Sequence, residues 1–310
     1  MSTIKAWKLI SLFFLISLTV GCGSKEEQFK RTIQQSITQA QTELNSLGDA
    51  LDAGSVRNAV LLKEYAKVIK EQQPDLTKVA DLMALDATRK GALYTGLVER
   101  LKNLKKTADT PPYQETLKQL ELLRDGLKPA IFNDALTDPL NMLADMSKGK
   151  LARVGAINKQ QEGASEGNQL VGNPNYGSWH TNSNGISFWQ WYGMYRMFGD
   201  VFNRVEYGSW SRHRGYSYYN DYGRSRYSSP SQIRAQNTIE TRTKRSYRSQ
   251  GKQFTSPYAS TKKGASGLSR SSYTPPRSTR SNYSSRSSYN STGSIRNSSS
   301  RTSRGISRGK

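Results

Sequence analysis

Beyond Glu240 the chain has no acidic residue, and Leu, Ile, Val and Phe are scarce. Residues 241–310 instead carry 16 Lys and Arg among Ser, Tyr, Thr, Gly and Asn. Such a stretch has too little apolar surface to offset the entropy of ordering it. Whatever core the 310 residues build must therefore come from the rest. Charge is lopsided on a larger scale too. Residues 23–170 hold 21 basic and 20 acidic residues, against 23 and 4 in residues 171–310. A near-neutral folded part followed by a polycation that meets an anionic surface is the expected arrangement.

The folded part reads as helix. Phe29, Ile33, Ile37, Ala40, Leu44, Leu47 and Leu51 recur at steps of three and four, the repeat of one helical face. Gly54 ends this helix, and Ser55 is placed to cap a second, with Val56, Ala59, Leu62, Tyr65, Ala66 and Ile69 inward. Pro74 closes that one. A third helix is expected from Asp75 or Thr77 through Leu104, loosened by Gly91 and Gly96, and Pro111-Pro112 breaks it. Tyr113 to Leu127 makes a fourth, and Asp138-Pro139 opens a short fifth as N-cap and first-turn proline. Short turns favour antiparallel neighbours. The expected class is all-α: an up-and-down helical bundle or coiled-coil hairpin. Its carboxylates alternate with lysines on solvated faces, and no catalytic constellation is visible.

Four of the five tryptophans fall between Trp179 and Trp210. Phe188, Trp191, Tyr195, Phe198, Phe202 and Val205 again step by three and four, with Trp189 widening the apolar arc. This predicts an amphipathic helix weakened by Gly193 and Gly199. Its candidate docking residues are Trp189, Trp191, Tyr195, Phe198 and Phe202. Three roles stay open: packing on the bundle or a protein partner, lying in a lipid headgroup layer, or recognising a ligand such as a sugar ring. Upstream, Asn173-Pro174 and Asn184-Gly185 are turn signals. His180 and His213, the only histidines, have no cysteine or carboxylate cluster beside them, so no metal site is expected. Phosphate-loop, dinucleotide and metalloprotease motifs are missing.

The amino end sets the compartment. Lys5 and Lys8 precede an apolar run from Leu9 to Val20, of signal-peptide length and short of the ~20 residues that span a bilayer, with an uncleaved anchor helix as the alternative. The run ends in Leu18-Thr19-Val20-Gly21-Cys22, which contains the only cysteine. This resembles the lipobox of bacterial lipoproteins, departing from it in having Thr19 where Leu is usual. The resemblance covers residues 1–24 only. It implies removal of residues 1–21, a diacylglyceryl thioether on Cys22 and anchoring by acyl chains such as palmitate, each buried methylene adding about 0.8 kcal/mol. Gly23, rather than aspartate, after the cysteine favours the outer membrane facing the periplasm over the inner membrane. No other cofactor is expected.

The layout that follows is a signal peptide over 1–21, a bundle over 22–155, and a Gly/Asn/Ser-rich linker with turns over 156–187. An aromatic amphipathic segment over 188–215 and a disordered Arg/Ser/Tyr-rich tail over 216–310 complete it. Arg245, Arg248, Arg270, Arg280, Arg286 and Arg301 are the candidate polyanion-binding residues, arginine forks suiting phosphate and carboxylate. In the cytoplasm such a tail would point to RNA. Export disfavours RNA and favours lipopolysaccharide, peptidoglycan or acidic exopolymer, with extracellular DNA a further candidate. The expected function is a membrane-anchored, non-enzymatic envelope tether or scaffold. The alternative is an enzyme, or an enzyme accessory, with a carbohydrate site in the Trp179–Trp210 block.

Overall fold

The computed structural model of the protein describes residues 25–154, 167–202 and 204–258. All of these lie in one unit, Met1–Tyr273, and the second unit, Thr274–Lys310, falls outside them. The described chain is mostly helical, with one two-stranded sheet that corrects the all-α expectation.

Helix α1 (Lys25–Asp52) buries Ile33, Ile37, Ala40, Leu44, Leu47 and Leu51, the face its apolar spacing marks out. It ends where Gly54 takes φ +67°, a conformation that favours glycine. Helices α2 (Arg57–Gln72), α3 (Thr77–Leu85), α4 (Ala92–Lys106), α5 (Tyr113–Leu127), α6 (Pro129–Ala135) and α7 (Thr137–Met146) follow. The main partners of α1 are α4 and α5, and those of α2 are α3 and α7. Side-chain contacts give the directions. Tyr113 donates to Glu26 at 2.8 Å and Arg124 pairs with Glu43 at 2.6 Å, so α1 and α5 run the same way. Lys105 donates to Gln41 and the Tyr94 hydroxyl to the Leu44 carbonyl, so α4 runs against them.

The third helix expected from the sequence is two helices. The chain breaks between Leu85 and Ala92, where the buried Asp86 carboxylate accepts from the Ala92 N–H at 2.8 Å and starts α4. A Cβ on Gly91 would sit 2.3 Å from the Asp86 Cα, so only glycine fits this turn. Pro129 ends α5 and occupies the first turn of α6. Asp138 is not an N-cap. Its carboxylate accepts from the Tyr218 and Tyr219 N–H groups at 2.6 and 2.9 Å and from the Ser217 hydroxyl at 3.1 Å.

The single amphipathic helix expected across 188–205 does not form. Strands β1 (Gly177–Thr181) and β2 (Ser187–Trp191) pair antiparallel, with Trp179 opposite Trp189. The turn between them is held by Asn182, whose side chain accepts from the Ile186 N–H at 2.9 Å, while Gly185 takes φ +78°. A second contact, the Trp189 N–H to the Val205 carbonyl at 2.8 Å, fixes the far side of β2. These long-range bonds outweigh a helical propensity already lowered by Gly193 and Gly199. A 3-10 turn (Gly193–Met197) and the short α8 (Phe198–Val201) replace the remainder.

Order continues past residue 216, where a disordered tail was expected. After α9 (Tyr207–His213), a π turn (Tyr219–Gly223), α10 (Arg224–Tyr227) and α11 (Pro230–Ser249) lie there. The physical reason is aromatic burial: Tyr216, Tyr218, Tyr219, Tyr227 and Tyr258 are each at most 6% exposed. Tyrosine supplies the apolar area that the scarce aliphatics do not. Polar bonds then join this part to the helices before it. Tyr176 donates to Asp86 at 2.8 Å, Tyr227 to the Gly126 carbonyl at 3.1 Å, and Arg226 pairs with Asp125.

Candidate polyanion-binding face

Helix α11 is the element that organises the basic residues within the described part. Ser229 caps it: its hydroxyl accepts from the Gln232 N–H, the Gln232 side chain accepts from the Ser229 N–H at 2.8 Å, and Pro230 fills the first helical position. One side of the helix faces inward through Gln236 and Ile239, both buried. The Gln236 amide donates to the Gly172 carbonyl at 2.9 Å and to the Tyr219 hydroxyl at 2.8 Å. Its oxygen accepts from Arg224 Nε at 2.6 Å. Burial pushes the Tyr219 hydroxyl up to about 12, so it stays neutral and free to accept. Further along, Tyr247 donates to the Gly208 carbonyl at 3.0 Å and sets its ring edge-on to Phe254.

With that side engaged, the outward arc is fixed. Arg234, Thr238, Thr241, Arg245 and Arg248 follow steps of four, three, four and three, and all are exposed. Arg242 and Lys244, also exposed, flank them. From Arg234 to Arg248 the row covers about 21 Å at 1.5 Å per residue. Glu240, the only acid in α11, points away from this arc and accepts from the Ser256 hydroxyl at 3.1 Å. A cavity of about 420 Å³ lies along the arc, lined by Asn237, Thr238, Thr241, Arg242 and Arg245. A second, of about 340 Å³, opens between the hairpin turn, α9 and the end of α11, and Glu206, Arg212, Arg242 and Lys252 line it. Arg242 reaches across to donate to the Thr181 hydroxyl at 2.6 Å. The arrangement is a row of guanidinium and ammonium groups at helical spacing, suited to several phosphates or carboxylates along one chain.

The sequence-derived residues divide sharply. Arg245 and Arg248 stand on the exposed arc. Cys22, Arg270, Arg280, Arg286 and Arg301 lie outside the described residues. Trp189, Trp191, Tyr195, Phe198 and Phe202, the docking candidates, are buried, none more than 8% exposed. Trp179 packs at 5.1 Å from Trp189, 4.8 Å from Tyr207 and 5.1 Å from Trp210, and Trp191 at 5.2 Å from Phe198. These rings are core, one of the roles the sequence left open, and their faces are taken up by one another. The apolar side chains left exposed nearby are Ile186, Tyr192, Met194 and Val201. Among the described residues no cluster of His, Cys, Asp or Glu has metal-binding geometry.

Arg234 and Arg242 were missed as site residues because the tail was read as structureless from residue 216. The signal was present: Ser229-Pro230-Ser231-Gln232 is a capping box with a first-turn proline. No protein family, curated protein or solved structure matches this chain.

Proposed function

We propose that the chain is an exported lipoprotein, anchored through acylated Cys22, that acts as a non-enzymatic scaffold for an anionic envelope polymer. In this reading residues 25–146 form a helical bundle near the membrane, outer rather than inner. The α11 arc and the basic residues beyond it then grip lipopolysaccharide, peptidoglycan or exopolymer. The observation that carries the proposal is the row Arg234, Arg245 and Arg248, flanked by Arg242 and Lys244, on an exposed arc without an acid. Helical order improves on a disordered polycation, since the charges are spaced before the partner arrives and less entropy is lost on binding.

The lipid anchor rests on the lipobox-like residues 18–22. The test has two arms. Mass spectrometry of the mature N-terminus should find a diacylated Cys22, and Cys22→Ser should leave residues 1–21 attached. Co-sedimentation with purified peptidoglycan and with lipopolysaccharide vesicles should retain the wild-type chain and release the Arg234/Arg242/Arg245/Arg248→Gln variant. Retention of that variant on both would contradict the proposal.

A further inference from the structure

Arg100 on α4 is 6% exposed, yet among the described residues no carboxylate is one of its hydrogen-bond partners. Its Nη1 donates to the carbonyls of Ser225, at 3.0 Å, and Arg226. Its Nη2 donates to the Gln119 side-chain oxygen at 2.7 Å, and Nε has no partner among the described residues. A buried cation without a counter-charge is costly, and burial lowers this guanidinium to about 10. Buried arginines are ordinarily matched to a carboxylate. Here the hydrogen-bond partners are neutral carbonyl and amide oxygens, and the residue lines a cavity open to solvent.

That cavity, of about 320 Å³, is walled by α4, the Thr110–Pro112 turn, α5 and the start of α11. Its charged lining is Arg100, Arg234 and Glu115, a net charge of +1. Glu115 is held by Gln119, whose amide donates to it at 2.8 Å, so Gln119 spans the two and keeps the carboxylate off the guanidinium. The N-terminus of α11, twenty residues long, opens at the same wall and adds its positive end. Leu104, Pro111, Pro112 and Pro230 supply apolar surface. We infer that this cavity binds a small monoanion: one carboxylate on a compact apolar body, such as the free C-terminus of a short peptide or a short-chain fatty acid. The carboxylate lies toward Arg100 and Arg234, and the apolar body lies on the prolines. The site is separate from the outward arc of α11 apart from Arg234, and it does not depend on polymer binding.

The test uses the full mature chain and calorimetric titration with acetyl-alanyl-alanine, its C-terminal amide, hexanoate, hexanamide and inorganic phosphate. The free acids should bind saturably with Kd below about 1 mM, and each amide at least about fivefold more weakly, roughly 1 kcal/mol. The better of the two acids identifies the source. Glu115→Gln raises the cavity charge and should tighten the acids about fivefold, and Arg234→Gln should weaken them by a similar factor. Both residues are exposed, so neither change endangers the fold, and circular dichroism should be unaltered. Equal binding of acid and amide, no saturable binding of either acid, a preference for phosphate, or indifference to Glu115→Gln would each overturn the inference.

Discussion

The helices before residue 154 and the aromatic part from 167 to 258 solve the same packing problem differently. The first buries aliphatics at regular intervals, and each helix is defined by its own local repeat. The second has short elements, and its order comes from partners far along the chain: Trp179 with Trp210, Tyr219 with Asp138, Tyr227 with Gly126. Edge-to-face rings and side-chain bonds to backbone take the place of a helical stripe. The first part could be read as isolated helices. The second is also tied to the first through polar anchors: Asp138 and Arg100 on the earlier helices, and Asp86 in the break between two of them.

That dependence can be broken or confirmed by unfolding. Trp179, Trp189, Trp191 and Trp210 are the only tryptophans beyond residue 7, so intrinsic fluorescence reports the aromatic part and far-ultraviolet circular dichroism mainly the helices. Trp210→Ala removes a ring 2% exposed that contacts Trp179, Tyr207 and Tyr258. It should cost about 3–5 kcal/mol. The loss should show as an earlier fluorescence transition, with the circular dichroism transition left behind. Two transitions that move together by that full amount would show the helices leaning on the aromatic part as much as the reverse.

A smaller effect should come from pH. Burial pushes the Asp86 and Asp138 carboxyls up to about 7, against an unfolded value near the ordinary aspartate range. Between about pH 4 and 7 the folded chain therefore holds protons that the unfolded chain has released, and stability falls as pH rises through that window. Denaturant midpoints should be higher at pH 5 than at pH 8. Asp86→Asn keeps an acceptor for the Ala92 N–H and faces a Tyr176 hydroxyl able to accept in turn, so it should flatten the slope. A profile unchanged by Asp86→Asn would mean that this carboxylate stays ionised in its hydrogen bonds.

The least effect is expected at the helical surface. The Arg124–Glu43 pair is about one-third exposed on both sides, and Glu43→Gln should shift stability by less than about 1 kcal/mol, in both probes equally. A larger shift would mean that the α1–α5 contact depends on charge rather than on its aliphatic face.

The same contrast explains what the sequence allowed to be read. The face of α1 was legible because a repeat over 28 residues has no other explanation. The break at Asp86 was not, since a carboxylate capping a backbone N–H six residues on leaves no periodic mark. The aromatic block misled for a specific reason. Phe188, Trp191, Tyr195, Phe198 and Phe202 mimic a helical repeat, yet only the last four are buried, brought together by a strand, a 3-10 turn and the helical turn after it, while Phe188 sits half-buried on the other face of β2. Asn184-Gly185 announced the turn, but the strands beside it showed no alternation strong enough to compete. Composition located the cations in the carboxyl-terminal part of the chain. It could not show that α11 aligns five of them, because the aromatic contacts that order α11 are non-local.

The central claim is that the outward arc of α11 binds polyanion through several simultaneous charge contacts. Its most direct test is the salt dependence of binding between the mature chain and lipopolysaccharide or a defined polyanion such as duplex DNA. For DNA, the slope of log K against log salt is about −0.9 per phosphate neutralised. A steep slope is expected for the wild type, becoming shallower by about three to four units in the Arg234/Arg242/Arg245/Arg248→Gln variant, with circular dichroism unchanged. The same slope in wild type and variant would contradict the claim and move polyanion binding off this helix.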